Sequence, residues 1–289
     1  MILREIGSTG IQVSGIGLGA MPLSIAGRPE PDQAFAVIQA YLDGGGSFID
    51  TANVYCLDDG DLGHNERLIA QALQRLGRSQ DVVVASKGGL RRPKGDWVVD
   101  ASPGWLRTSC EQSLKALGRQ CIELYQLHAV DTRVGLLASL ETLVELRKEG
   151  KIRHIGLSNV TLAQLRQALA LTPIASVQNR CNPFERDDLD NGLLDFCAEH
   201  AISYIPHSPV GGHHGHVRLQ RCEPLKRLAA KYQASPYQLV LAWFLAMGGH
   251  VLPIPGASRV ASIRDSLAAT ELALEPGDIE LIDRLPAAA

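Results

Sequence analysis

Short apolar runs alternate with helical stretches along almost the whole of this 289-residue chain, and that alternation limits the fold more than any other feature. The strand candidates are residues 15–19, 47–50, 82–86, 122–127, 152–157, 174–178, 203–206 and 251–254. The helix candidates are 32–43, 65–76, 103–117, 135–148, 162–170, 189–199, 224–232 and 236–247. Several helices carry end signals: Ser235-Pro236 is an N-cap followed by proline at the first helical position, and Gly118 and Gly150 stand just past two others. Strands that alternate with helices pair in parallel, because each crossover helix returns the chain to the same end of the sheet. Eight such units in a chain of this length predict an α/β fold, a closed (β/α)8 TIM barrel. An open doubly wound sheet is the alternative, but a G-x-G-x-x-G turn after the first strand is missing: Gly15, Gly17 and Gly19 are two apart and lead into Ala20-Met21-Pro22. Ahead of the first barrel strand, 1–6 and 11–13 flank the turn Ser8-Thr9-Gly10 as two short strands. No linker or low-complexity stretch divides the chain, so one domain is expected over 1–289, with a hairpin over 1–14, a C-terminal helix and tail over 277–289, and disorder at 287–289.

Aromatic residues make up only 5% of the sequence against 45% hydrophobic residues, so the core is expected to be aliphatic, which suits strands buried on both faces. The formal net charge is −3 and no basic stripe is interleaved with aromatics, which argues against nucleic acid as a partner. No apolar run approaches the roughly 20 residues needed to span a bilayer, and the first ten residues hold no signal-peptide core. The six cysteines include no C-x-x-C pair; they read as reduced thiols in a cytoplasmic protein. A monomer or weak homo-oligomer acting on a small molecule, with neither membrane nor nucleic-acid partner, is expected.

In a barrel of this kind chemistry gathers where strands end at the C-terminal face. Four side chains there form a chemical unit. A carbonyl reduced by hydride needs a proton for its oxygen. A tyrosine, Tyr55, stands after the second strand, but a free phenol with a pKa near 10 is a poor donor at neutral pH. A lysine ammonium beside it stabilises the phenolate, and Lys87 follows the third strand. A buried lysine needs a counter-charge, which Asp50 supplies at the end of the second strand. His128, after the fourth strand, can hydrogen-bond the carbonyl oxygen and orient it. Taken singly, each has a structural explanation: a rim tyrosine, a satisfied core histidine, an ordinary ion pair. Their arrival at successive strand ends is what those explanations do not cover.

These segments resemble the aldo-keto reductase family along nearly the whole chain. The resemblance rests on Phe48-Ile49-Asp50-Thr51-Ala52 with Tyr55, on His64-Asn65-Glu66, on Ser86-Lys87-Gly88-Gly89, on Glu123-Leu124-Tyr125-Gln126-Leu127-His128, and above all on Gly150-Lys151-Ile152-Arg153-His154-Ile155-Gly156-Leu157-Ser158-Asn159. It implies a barrel whose N-terminal hairpin closes the bottom, an extended nicotinamide cofactor across the top, and Asp50, Tyr55, Lys87 and His128 as the catalytic set. Ser158, Asn159 and Gln178 are then expected to hold the nicotinamide carboxamide; the alternative for Ser158-Asn159 is helix capping. His207, Ser208, Pro209 and Gly211 follow the seventh strand on the cofactor side. Pro255, Gly256, Ala257, Ser258 and Arg259 resemble the family's adenosine-phosphate segment. Arg259 points to NADP(H) over NAD(H). Asp265 and Ser266 match the adenine end, although the family often has Asn where Ser266 stands, and commonly Tyr where His207 stands to stack on the nicotinamide.

The resemblance implies reduction of an aldehyde or ketone, or the same site run backwards as a sugar, alcohol or pyridoxine-type dehydrogenase. A redox-sensing regulatory subunit and a metal-dependent hydrolase are competing classes. The tract from Gly211 to His216 holds three histidines but no Cys or carboxylate at a recognisable spacing. No metal is assigned, and a flexible loop over the cofactor pyrophosphate is expected there. Asp58, Asp59 and Asp61 are expected to shape the substrate mouth, thiol modification of Cys56, which adjoins Tyr55 in sequence without being thereby exposed, to impair activity, and Lys94, Trp97 and Trp105 to lie on or beside the loop after the third strand. The short end after the helix over 277–285 implies an open site with broad tolerance.

Overall fold

The computed structural model describes residues 1–285, without the side chains of His213 and His214. Its strands in chain order are β1 (Leu3–Glu5), β2 (Gln12–Ser14), β3 (Leu18–Gly19), β4 (Phe48–Asp50), β5 (Val83–Gly88), β6 (Leu90–Arg91), β7 (Val98–Val99), β8 (Ile122–Leu127), β9 (Ile152–Ser158), β10 (Ser176–Gln178) and β11 (Ser203–Tyr204). Seven of them form one parallel sheet in the order β11-β10-β9-β8-β5-β4-β3. Helices such as Pro31–Asp43, Pro103–Leu117 and Leu136–Lys148 connect them.

The expected eighth strand is present as a closing segment rather than a regular strand. Val251 and Ile254 bridge Tyr204 and His207 on one side, and Gly256 bridges Gly19 on the other. Its prolines explain the irregularity. Leu252 and Ile254 donate to the Tyr204 and Pro206 carbonyls, whereas Pro253 and Pro255 only accept, from Gly17 and Gly19. With no N–H at 253 and 255, half of the ladder toward β3 cannot form.

The barrel interior is filled by Phe48, Ala85, Leu124, Ile205, Leu252 and Ile254, and Ile6 and Val13 from the N-terminal hairpin pack against them. Arg4 donates to the Val251 and Leu245 carbonyls, and Ser203 Oγ accepts from Gly7 N. Those contacts fix the hairpin as the plug of one barrel end. A larger apolar layer, including Val84, Tyr125, Ile155 and Val177, lies between the sheet and the helices.

Four local expectations change. Lys87 lies inside β5 and not beyond it. The helix expected over 189–199 is two, Asp187–Asp190 and Leu193–Glu199, because Gly192 sits between them in the left-handed region at φ 79. The histidine tract, expected to be a loop, begins the helix Gly212–Arg221. An antiparallel hairpin of β6 and β7 follows the third barrel strand. No helix among the described residues is long and apolar enough to cross a membrane. The tail at 287–289 lies outside the described residues.

Candidate active site

The period-2 alternation of strands builds the site. Two residues beyond the interior positions Phe48, Ala85 and Leu124 stand Asp50, Lys87 and Gln126, and two beyond Gln126 stands His128. The apolar barrel interior is therefore capped by a buried polar layer. Lys87 Nζ, fully buried, ion-pairs with Asp50 Oδ1 and donates to the Thr51 carbonyl and to Tyr55 Oη, each at 3.0 Å. The other carboxylate oxygen, Asp50 Oδ2, accepts from Gln178 Nε2 at 2.8 Å and Gln126 Nε2 at 3.2 Å. Tyr55 meets His128 and Trp97 edge-on, with ring centroids 5.8 and 6.3 Å apart.

Burial would draw the Lys87 ammonium's pKa down, but Asp50 and Tyr55 together hold it above its ordinary value. Burial pushes the Tyr55 phenol above 10, with Lys87 working in the opposite direction. The lysine thus acts on the phenol as expected, but desolvation wins and the net shift is upward. His128 lies well below the usual imidazole range, through burial and then through Lys87 and His207; it is neutral, and its Nδ1 is enclosed without a hydrogen-bond partner. Burial, Lys87 and Arg180 bring His207 down to about 4, so that ring is neutral as well.

The motif residues around this layer are scaffolding. Thr51 Oγ1 donates to Asn65 Oδ1 at 2.5 Å, and Asn65 Nδ2 donates to the Ala20 carbonyl at 2.8 Å; together these tie the loop carrying Tyr55 to the turn after β3. Glu66 is fully buried behind β5 and accepts from Ser86 Oγ at 2.5 Å. Burial pushes its pKa up to about 7 from an ordinary 4.5. The folded chain then holds this proton more tightly than the unfolded chain, so the contribution of Glu66 to stability is full below about pH 4.5 and is lost as pH rises toward 7. Glu66→Gln is expected to remove a stability loss on the order of 3 kcal/mol between about pH 4.5 and about pH 7. Urea unfolding of both proteins at the two ends of that window measures it; parallel pH slopes would contradict the assignment.

Above the polar layer a cleft of about 740 Å³ runs from Tyr55, Trp97 and His128 past Ser158 and Gln178 to Arg259 and Asp265. Of the residues expected for catalysis and cofactor binding, all line it except Lys87, which lies beneath, and Gly211 and Pro255; Asp58, Asp59 and Asp61, expected at the substrate mouth, do not line it. Ser158 and Asn159 are not helix caps: the following helix is capped by Thr161 in a capping box with Gln164. Asn159 sits at φ 56, and its Nδ2 donates to the His128 carbonyl at 2.9 Å and to Ser158 Oγ at 3.1 Å. His207 Nε2 lies 3.3 Å from Asn159 Oδ1. At the far end Asp265 accepts from Ser235 Oγ and Gln238 Nε2 at 2.7 and 2.8 Å, while Ser266 Oγ turns back onto the Ser262 carbonyl.

Sequence reasoning missed Gln126, Arg180 and Tyr237. Arg180 and Tyr237 line the cleft, and their place in it follows from loop packing that no local pattern encodes. Gln126 had a local signal: a polar residue where the period-2 pattern of β8 points inward. Trp97 lies on the β6–β7 hairpin, 47% exposed, with the Arg92 guanidinium stacked 3.9 Å from its ring centre. Trp105 instead packs under that hairpin and donates to the Leu90 carbonyl. Cys56 is not open to modification: it is buried, and burial pushes its thiol up to about 11. The six cysteines are free. The side chains of His213 and His214 lie outside the described residues, and among those residues no cluster of three His, Cys, Asp or Glu could hold a metal.

A buried Lys–Asp pair touching a tyrosine, at the C-terminal mouth of a parallel barrel, is an arrangement that can be compared with known proteins. The profile of the Aldo/keto reductase family matches residues 15–287. The chain belongs to that family. A probable aldo-keto reductase from Glycine max is 32% identical over 98% of this chain and 88% of its own length. An aldo-keto reductase of Strobilurus tenacellus is 29% identical, covering 98% of this chain and 91% of that protein. Among solved structures, a thermostable aldo-keto reductase in complex with the inhibitor epalrestat superposes with a TM-score of 0.83 at 30% identity, over 98% of this chain and 99% of that one. The holo form of an aldo-keto reductase from Bacillus halodurans gives 0.81 at 25% identity, over 100% and 97%. The family is one of oxidoreductases, and the (β/α)8 barrel architecture of its members is the architecture found here.

Proposed function

We propose that this aldo-keto reductase reduces an aldehyde or ketone to an alcohol with NADPH, and that Tyr55 Oη supplies the proton. The observation that carries the reading is the unbroken line from Asp50 through Lys87 Nζ to Tyr55 Oη, which ends at the wall of the cleft. A dinucleotide fits the donor set: an extended groove with amide and hydroxyl groups at the tyrosine end and a guanidinium at the other, beside the N-terminus of the helix Val260–Ala268. Bound there, the nicotinamide supplies hydride. Tyr55 gives its proton to the substrate oxygen as that oxygen gains charge. Lys87 stays charged because of Asp50, and its ammonium stabilises the phenolate left behind. His128, held neutral, donates a hydrogen bond to the same oxygen and is no competing acid. The proposed carboxamide contacts are Ser158, Asn159 and Gln178, with the neutral His207 ring beside them and Ser208 and Pro209 continuing the wall.

The experiment that tests this is a panel of aldehydes and ketones with NADPH and NADH, read as loss of reduced-nicotinamide absorbance. Oxidation of NADPH by part of the panel is the expected result; tight NADPH binding with no oxidation by any carbonyl would overturn it. For the cofactor preference, Arg259 is exposed at the cleft and forms no ion pair among the described residues. A guanidinium there is suited to a 2′-phosphate. Arg259→Ala is expected to weaken NADPH binding by about 10- to 100-fold and NADH binding hardly at all, as a charge-assisted contact of roughly 1.5–3 kcal/mol requires. Equal losses for both would remove Arg259 from that role.

A further inference from the structure

We propose that Trp97 is a specificity-determining residue which selects carbonyl compounds with a flat apolar skeleton over polyhydroxylated ones, and that the buried Arg92 is the positioning residue which holds it in place. The proposal rests on the reductase reading above for one point, that the carbonyl oxygen sits at Tyr55 Oη. The Tyr55 and Trp97 ring centroids are 6.3 Å apart, so a group bonded directly to the carbonyl carbon comes within contact of the indole. Met21 packs beside Tyr55 and lines the cleft with it. Leu57, on the Tyr55 loop, and Val98, next to Trp97, are exposed apolar side chains, as is Trp97 itself. Apolar side chains left exposed together at the mouth of a cleft mark a binding surface. Tyr55 Oη and the His128 ring are both engaged by the one carbonyl oxygen, so hydroxyls further along a substrate would be desolvated against Met21 and the indole face.

What holds an exposed indole in one place is the arginine behind it. The Arg92 guanidinium, stacked 3.9 Å from the Trp97 ring centre, is itself buried. Its Nη2 donates to the Cys56 and Leu57 carbonyls at 3.3 and 3.4 Å, on the loop that carries Tyr55. Its Nε and Nη1 are enclosed with no hydrogen-bond partner among the described residues. This cation has exchanged water for two long hydrogen bonds and an aromatic face, so the Trp97 ring is a principal partner of the charge. The stack thereby ties Trp97 to the Tyr55 loop. With one indole face covered by Arg92, the other face and the rim are what the cleft meets.

The rest of the β6–β7 hairpin is fixed without that guanidinium. Arg91 pairs with Asp100 at 2.6 Å, Trp105 Nε1 donates to the Leu90 carbonyl at 2.8 Å, and Arg133 Nη2 donates to the Val99 carbonyl at 2.7 Å. The backbone N–H of Arg92 donates to Asp59 Oδ1 at 2.8 Å, a bond that any side chain at 92 keeps. Loss of the guanidinium therefore releases the indole and leaves the hairpin standing. A released indole has more rotamers to lose when a ligand lies on it, and affinity falls by that ordering cost.

The test compares acetophenone with dihydroxyacetone, two ketones that differ in their skeletons, by calorimetric titration in the presence of NADP+, so that no hydride is available and nothing turns over. The wild-type protein is expected to bind acetophenone about tenfold more tightly, the value of one aromatic contact. In Trp97→Ala the ratio is expected to fall to near one. In Arg92→Met it is expected to fall about threefold, the cost of ordering one side chain, and the double variant is expected to match Trp97→Ala, because Arg92 acts through the indole. A purely structural role for Arg92 would weaken both ligands by the same factor and leave the ratio at its wild-type value; that result, or a wild-type ratio near one, overturns the proposal. If Arg92→Met does not fold, Arg92→Lys keeps the charge without the flat stack, and a fall in the ratio is expected there too. The readout is binding, so it stands apart from turnover. A wild-type protein that prefers acetophenone but oxidises no NADPH would sink the reductase reading alone, and an active one that binds both ketones equally would sink this inference alone.

Discussion

Tyr55→Phe is expected to lower turnover in carbonyl reduction by about a hundred- to ten-thousand-fold, the range over which a positioned acid contributes, while NADPH binding stays unchanged. The substitution removes one oxygen. Lys87 keeps Asp50 and the Thr51 carbonyl as partners, so the polar layer beneath stays paired and the loss is confined to the proton. His128 cannot take over, because it is neutral and well below the imidazole range. Steady-state rates set beside a fluorescence titration of NADPH measure both halves; full activity in the variant would remove Tyr55 from the chemistry. The same reading sets a pH dependence. Reduction needs the protonated phenol, which is present below the Tyr55 pKa, and burial holds that pKa above 10. Reduction is therefore expected to be flat through neutral pH and to fall only in strong alkali, while oxidation of the product alcohol, which needs the phenolate, rises with pH.

Lys87→Met carries the second large effect, on stability as well as rate. It leaves the Asp50 carboxylate buried, with amide donors on Oδ2 but no cation. Breaking a buried pair from one side costs about 3–5 kcal/mol, because the remaining charge is uncompensated. Denaturant unfolding at neutral pH is expected to show a loss of that order, together with loss of turnover. Asp50→Asn in the same chain is expected to return most of the stability, since an amide oxygen still accepts from Gln126 and Gln178 and no charge is left unpaired. Turnover should not return with it. A double variant as unstable as the single one would show that the ion pair is not what Lys87 contributes.

Much of the site is legible in the sequence because strand geometry is simple. The period of two that makes Phe48 and Leu124 interior also places Asp50, Gln126 and His128 on the inner face, and the turn signals before helices survive as built, Ser235-Pro236 among them. Two departures arise from neighbours close in the chain. Residues 251–254 read as an eighth strand, but Pro253 and the following Pro255 lack the donors for a full ladder. Cys56 is next to Tyr55 in sequence, and the loop folds its thiol inward onto the Val54 and Asp58 carbonyls.

The same division applies to Tyr55. By itself the sequence determined which groups stand at neighbouring strand ends, because the order of strands and the alternation of side chains are local properties of the chain. Only the tertiary structure decided their protonation and their hydrogen-bond directions. Desolvation depends on everything packed around a group, so the phenol lies above its ordinary pKa in spite of the lysine beside it. The direction of the Gln178 amide depends on Asp50, 128 positions away, which no local pattern brings beside it.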